Sequence, residues 1–411
     1  MDYKKHTIDF NNILNELSVY GFIYNKSLGP PYSISLDGYS IFIQNQSALK
    51  KFHDTIEKFY IECTKVSDLV SFKTTRKYFE KALLIVVKDK KLFEKEMLLE
   101  IVDDILSMET NNYKFFYEIN GINLGYKNSV IIGEYEFIKP TTDHEYFNLN
   151  DNPNETVRKI INSRDYSNIT LVSVNVLAKD INKASELADE KINSLEHIFN
   201  FIIADINHQY SIGVFNNWGF KPIVKFVQSE NRGLGIIGNS HIVHDFNFDD
   251  IDLGSKEFGY NKVWELFTRN SLTPIQKRII NAIKWYGKGI NDYDLNQSFI
   301  HFIFAIESIL NHNEQSEIIT AGISHKISEA IAFIVSVDKT DRKPYFKEFK
   351  RLYTLRSGIA HGSKQNIKRD DVLGVMFFSK RLIANLLVSD IYSKFKTISE
   401  LYDYIEELKF S

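Results

Sequence analysis

Arg356 and His361 stand five positions apart in the run Leu352-Tyr353-Thr354-Leu355-Arg356-Ser357-Gly358-Ile359-Ala360-His361-Gly362. A guanidinium is a permanent cation whose forked donors fit phosphate, and an imidazole titrates near neutrality. Side by side they suit phosphodiester chemistry, one stabilising negative charge and the other moving a proton. The bland alternative makes Arg356 half of a structural ion pair and His361 a helix cap before Gly362.

The element carrying them reads as a helix. Phe346, Phe349, Leu352, Tyr353, Ile359 and Ala360 fall on one stripe at about 100° per residue, and Arg356 lies near its middle. A guanidinium placed there needs a carboxylate or an anion, because burying it alone is very costly. Positions i and i+5 differ by about 140° on an ideal helix, so both side chains reach one cleft only if the helix ends or distorts between Gly358 and Gly362. Residues 342–369 hold nine basic side chains and one acid, Glu348. Lys350, Arg351, Lys364, Lys368 and Arg369 are thus candidate contacts for a polyanion, although a solvated helix face has the same look.

The helix that must supply a counter-charge is Leu295–Asn311, apolar nearly all round and so expected at the centre of a bundle. Glu307 interrupts that run, and Arg356 is its candidate partner. Thr273-Pro274 reads as an N-cap and first position for a helix to about Gly287, and Asp294 with Gln297 as a capping box. Further helices are expected near Glu317–Val337, Asp370–Asp390 and Ser399–Leu408, which together make an all-α bundle over 262–411.

Upstream the pattern is mixed. Residues 1–155 are expected to form an α/β domain: a helix at Phe10–Tyr20, a strand pair at Tyr32–Ile43 turning at Asp37-Gly38, and helices through Leu49–Cys63 and Phe93–Met108. Strands follow from Tyr113 to Ile138, with Asn120-Gly121 as a hairpin turn and Thr141–Asn154 as a polar loop. Residues 156–261 read as a small α/β module, with a doubly buried strand at Ile169–Ala178 and a long helix capped by Asp180. The fold class is thus α+β and multidomain. Gly233-Leu-Gly235-Ile-Ile-Gly238 matches the dinucleotide fingerprint, but no helix opens from it, so it is set aside. His241 and His244 with Asp245 lack a third metal ligand nearby.

Four segments in order, Ala282-Ile-Lys-Trp285-Tyr-Gly, Phe302-Ile-Phe-Ala305-Ile-Glu307-Ser-Ile-Leu310, Ile323-Ser-His-Lys-Ile327-Ser and Leu355-Arg356-Ser-Gly-Ile-Ala-His361-Gly362, resemble the Apea-like branch of the HEPN superfamily. The resemblance covers roughly residues 262–392. It implies a helical bundle paired across a two-fold axis and, commonly, a metal-independent endoribonuclease that needs no cofactor. It places Arg356 and His361 at the family's catalytic positions and Glu307 at its central acid. The position after the arginine, often Asn, Asp or His in active members, is Ser357 here, whose hydroxyl can still bond phosphate.

In such a nuclease the 2′-OH of RNA attacks the adjoining phosphate. A dimer would bring two His361 and two Arg356 into one cleft, one imidazole acting as base and its mate as acid. The expected protein is a toxin-like antiviral effector whose first 260 residues bind a trigger ligand or protein, or restrain the nuclease. The alternatives are a module that holds nucleotide or RNA without cutting, and a scaffold in which Arg356 and Glu307 are purely structural.

The whole chain permits this. Its 411 residues are 44% hydrophobic and 25% charged, ordinary for a globular protein. The single Cys63 excludes an internal disulfide and a multi-cysteine zinc site. The opening Met-Asp-Tyr-Lys-Lys-His has no apolar stretch, and no uncharged run approaches the roughly 18 residues of a membrane span, so a cytoplasmic location is expected. The net charge is −3, but residues 262–411 carry 22 Lys and Arg against 17 Asp and Glu, while the rest carries 28 against 36.

Overall fold

The computed structural model describes residues 2–17, 19–23, 33–36, 39–43, 46–140, 169–203, 212–214, 224–229, 233–238, 245–248, 252–256, 259–269, 271–292, 294–311, 320–336, 338–360 and 366–410. The chain is a mostly helical α+β protein. It divides into two compact units, one of residues 1–115 with 175–190 and one of 116–174 with 191–411.

The first unit holds α1 (Tyr3–Glu16), α2 (Gln46–Glu62), the short α3 (Thr64–Ser67), α4 (Phe72–Asp89) and α5 (Lys95–Ser107). Strands β1 (Val19–Ile23), β2 (Ser33–Leu36) and β3 (Tyr39–Ile43) form an antiparallel sheet in the order β1-β3-β2. The first helix is displaced from its expected place at Phe10–Tyr20. It starts at Tyr3 because the Asp2 side chain accepts from the Lys5 amide, and the chain turns extended at Leu17. Helix α4 is absent from the sequence expectation, although Thr75, Phe79, Ala82 and Val86 fall on one buried face and Ser71 caps its start. Phe10 packs on Phe52, Phe79 and Phe93 with ring centroids 4.9–5.9 Å apart, and this aromatic cluster is the heart of the unit's core. Each such buried ring contributes about 1.5–3 kcal/mol.

Strands β5 (Ile122–Asn123), β6 (Ser129–Ile132) and β7 (Tyr135–Ile138) belong to the second unit, and β4 (Asn111–Ile119) and β8 (Thr170–Ala178) are divided between the two. The four-stranded sheet has the order β4-β8-β7-β6. Interior β8 is buried at every position from Thr170 to Val174, but Asn175 and Leu177 are exposed, so the strand expected to be covered on both faces is so only in its first half. Asn120-Gly121 is not a hairpin turn. Instead β5 leaves the sheet and pairs in parallel with β11 (Phe246–Asn247), and Asn120 bridges to Gly213. The true hairpin is β6–β7, closed by Gly133-Glu134 with Gly133 at φ +61, a region that favours glycine.

Helix α6 (Ile181–Ile202) begins at Asp180, whose carboxylate accepts from the Asn182 and Lys183 amides. The fingerprint-like glycines lie inside β10 (Gly233–Gly238), antiparallel to β9 (Val224–Ser229), and so have no phosphate-binding geometry. The Asp37-Gly38 turn, the Thr141–Asn154 loop and both His241 and His244 lie outside the described residues.

The remaining helices are α7 (Tyr260–Thr268), α8 (Pro274–Asn291), α9 (Leu295–Leu310), α10 (Thr320–Val335), α11 (Lys339–Ala360), α12 (Arg369–Val388) and α13 (Ile398–Phe410). Thr273 and Gln276 form a reciprocal capping box that opens α8. Asp294 opens α9 by accepting from the Asn296 and Gln297 amides. Helix α9 packs against α8, α10, α11 and α12, the central place its near-continuous apolar surface demands. No helix among the described residues is long and apolar enough to cross a membrane.

Candidate functional site

The end of α9 and the last turns of α11 meet at three side chains. Glu307 projects from α9, and Tyr353 and Arg356 stand one turn apart on α11. The Tyr353 hydroxyl donates to Glu307 Oε1 at 2.7 Å. Arg356 Nη2 donates to Oε2 at 3.3 Å, and its Nε lies 3.1 Å from Oε1 in an ion pair whose angle does not make a hydrogen bond. Glu307 is the better covered partner, with 13% of its side chain exposed against 29% for Arg356. The guanidinium thus has one edge on the carboxylate and is still reachable by solvent. It also lies 5.8 Å from the Tyr353 ring centroid. Burial, and then the Glu307 carboxylate, push the Tyr353 phenol well above its ordinary range, so it remains a donor at neutral pH.

The stripe on α11 explains this placement. Phe349 and Leu352 are fully buried and fix which face of the helix turns inward, leaving Phe346, Tyr353 and Arg356 half-buried along its margin. Ser357 is also half-buried. Helix α11 continues to Ala360 without a break at Gly358, and His361, Gly362 and Lys364 lie outside the described residues.

The basic candidates have separate fates. Arg351 is held by Glu348 at 2.7 and 3.0 Å and by Asp371 at 2.7 Å, which leaves its fork occupied. Burial raises the Asp371 carboxyl, but the Lys368 amide and then Arg351 outweigh it and hold that group below its ordinary value. Lys350 is exposed, its Nζ 5.7 Å from the Phe346 ring. Lys368 and Arg369 are exposed at the start of α12, where the Lys368 amide donates to Asp371.

Two participants escape the sequence reading. Tyr353 reads as a stripe hydrophobe, yet its hydroxyl is the shortest contact of Glu307; its position three residues before Arg356 is the signal. Arg278 on α8 donates to the carbonyls of Ser308, Ile309 and Asn311 at 2.8–3.2 Å, closing the C-terminus of α9 just beyond Glu307. Among the described residues no group of three or more His, Cys, Asp or Glu is arranged to hold a metal ion.

Comparison with family models, curated proteins and solved structures gives no match.

Proposed function

We propose that residues 262–411 are a HEPN-type module that cleaves RNA at a cleft shared by two copies of the chain. The observation that carries this reading is the Glu307–Arg356 pair, a solvent-reachable guanidinium oriented by a central-helix acid. It stands at the end of a helix that runs to the residue before His361.

In this reading Arg356 stabilises the charge that develops on the phosphate oxygens as the 2′-OH attacks. One His361 takes the 2′-OH proton, and the His361 of the second copy donates a proton to the departing 5′-oxygen. Glu307 and Tyr353 fix the direction of the fork, and Ser357 offers a hydroxyl to phosphate. Lys350, Lys364, Lys368 and Arg369 attract the RNA backbone. No cofactor enters the scheme. The first 260 residues sense a trigger or restrain the nuclease, as expected of a cytoplasmic, toxin-like defence effector.

A second reading is favoured by one observation. The fork of Arg351 and one edge of Arg356 already hold carboxylates, as they would in a module that binds RNA or nucleotide without cutting, or in a scaffold. Purified protein incubated with total RNA and EDTA separates the readings. New 5′-hydroxyl ends matched by 2′,3′-cyclic phosphates support the nuclease, and intact RNA that co-elutes with the protein supports the binder.

A further inference from the structure

Within the second unit, away from Glu307 and Arg356, a cleft of about 500 Å³ is bounded by α7, the start of α8, the end of α12 and the segment that follows it. This volume is in the range of small-molecule sites, roughly 300–1,000 Å³. Leu266, Ile279 and Leu386 reach its floor with only 2–3% of their surfaces exposed. One wall is aromatic: Phe395, half-exposed, is held by Tyr404 at 5.4 Å, and Tyr392 is anchored through its hydroxyl to the Phe333 carbonyl at 2.9 Å.

The rim is cationic, with Lys262, Arg269, Lys394 and Lys396. Glu265 stands among them and partly offsets two of the four cations, and Glu400 lies beside the cleft on α13. Glu265 holds Lys262 at 3.3 Å and Arg269 at 3.5 Å. Glu400 accepts from the Lys396 and Thr397 amides, which hold its carboxyl below the ordinary range. Lys394 is exposed and has no acidic partner among the described residues.

An apolar floor, one aromatic wall and an excess of positive charge at the rim define a ligand by chemistry. We infer that this cleft binds a small molecule consisting of a planar ring that carries an anionic group, either phosphate or carboxylate. The ring lies against Phe395, above the leucine–isoleucine floor, and the anion meets Arg269 and Lys394. The site is independent of RNA cleavage, and neither assignment rests on the other.

Isothermal titration of the full chain at low salt tests it with four probes: AMP, 2-naphthoate, adenosine as the neutral ring, and octanoate as the anion without a ring. AMP or 2-naphthoate is expected to bind at least ten-fold more tightly than both adenosine and octanoate, and the tighter of the two distinguishes phosphate from carboxylate. The exposed double variant Arg269→Glu/Lys394→Glu should reduce that affinity ten-fold or more, and Phe395→Ala at least three-fold. Equal binding of adenosine, tighter binding of octanoate, or an unchanged affinity in the double variant would overturn the assignment.

Discussion

Glu307 and Arg356, 49 residues apart in sequence, meet across α9 and α11 with 3.1 Å between carboxylate and guanidinium, and Tyr353 shares the same carboxylate. Because Arg356 is nearly one-third exposed, solvent screens the pair, and its coupling should be about 1 kcal/mol rather than the larger cost of breaking a fully buried pair. A double-mutant cycle of Arg356→Ala and Glu307→Gln, read by urea unfolding, measures it. Tyr353→Phe should separately cost about 1 kcal/mol. A coupling indistinguishable from zero would mean that Glu307 does not orient the guanidinium.

Gly287 on α8 is a packing requirement. A methyl group there would stand 2.6 Å from His197 Nδ1 and 2.9 Å from the His197 Cα on α6. Backbone cannot yield as a flexible side chain does, so Gly287→Ala should destabilise by roughly 1–3 kcal/mol despite alanine's better helix propensity. Thermal unfolding of the variant checks this, and an unchanged or raised Tm would show that the two helices separate easily.

His197 also gives the second unit an acid sensitivity. Burial, and then Lys288 and Lys284, push its imidazole down to about 4 from 6.5. The unfolded chain therefore takes up a proton that the folded one refuses. The stability tied to this residue is complete above about pH 6.5 and is lost as pH falls toward 4. Between pH 7.5 and pH 5 the loss should be about 2 kcal/mol. Urea unfolding of the wild type and of His197→Gln at both pH values isolates it, since the variant should lose correspondingly less. Parallel losses would assign the acid sensitivity to other groups.

Asp180 ties two helix starts of the first unit together. It accepts from the Ser71 amide at 2.8 Å and the Ser71 hydroxyl at 3.0 Å while capping α6. Burial raises its carboxyl, but these hydrogen bonds outweigh that and hold it below the ordinary value. Asp180→Ala should cost roughly 2–3 kcal/mol, and Asp180→Asn, which keeps one acceptor oxygen, about half as much. Equal costs for the two variants would show that the negative charge, not the acceptor geometry, is what matters.

The parts of this molecule legible in its sequence are those with local causes. Thr273-Pro274 and Asp294 begin their helices as capping chemistry dictates, the apolar surface of α9 gives it the central place, and Glu307 finds Arg356 because a carboxylate in that run needs a cation. Where pairing is decided at long range, local signals mislead. Asn120-Gly121 has the composition of a hairpin turn, but the strand after it pairs with Phe246–Asn247 instead. Arg351 belongs to the basic run, yet Glu348 one turn back takes two of its hydrogen bonds and Asp371 reaches it from the next helix. The boundaries drawn at 155 and 261 follow polarity along the chain, while the compact units break within β4, β8 and α6, where no composition shift marks the change.

In the proposed nuclease the His361 imidazole moves the protons of RNA cleavage. The most direct measurement compares RNA cleavage in EDTA by the wild type and by His361→Ala, with the Tm of each recorded. The expected result is a loss of at least about 100-fold in rate, the lower end of a general acid–base contribution, at an unchanged Tm. Cleavage by the variant within threefold of the wild type would contradict it.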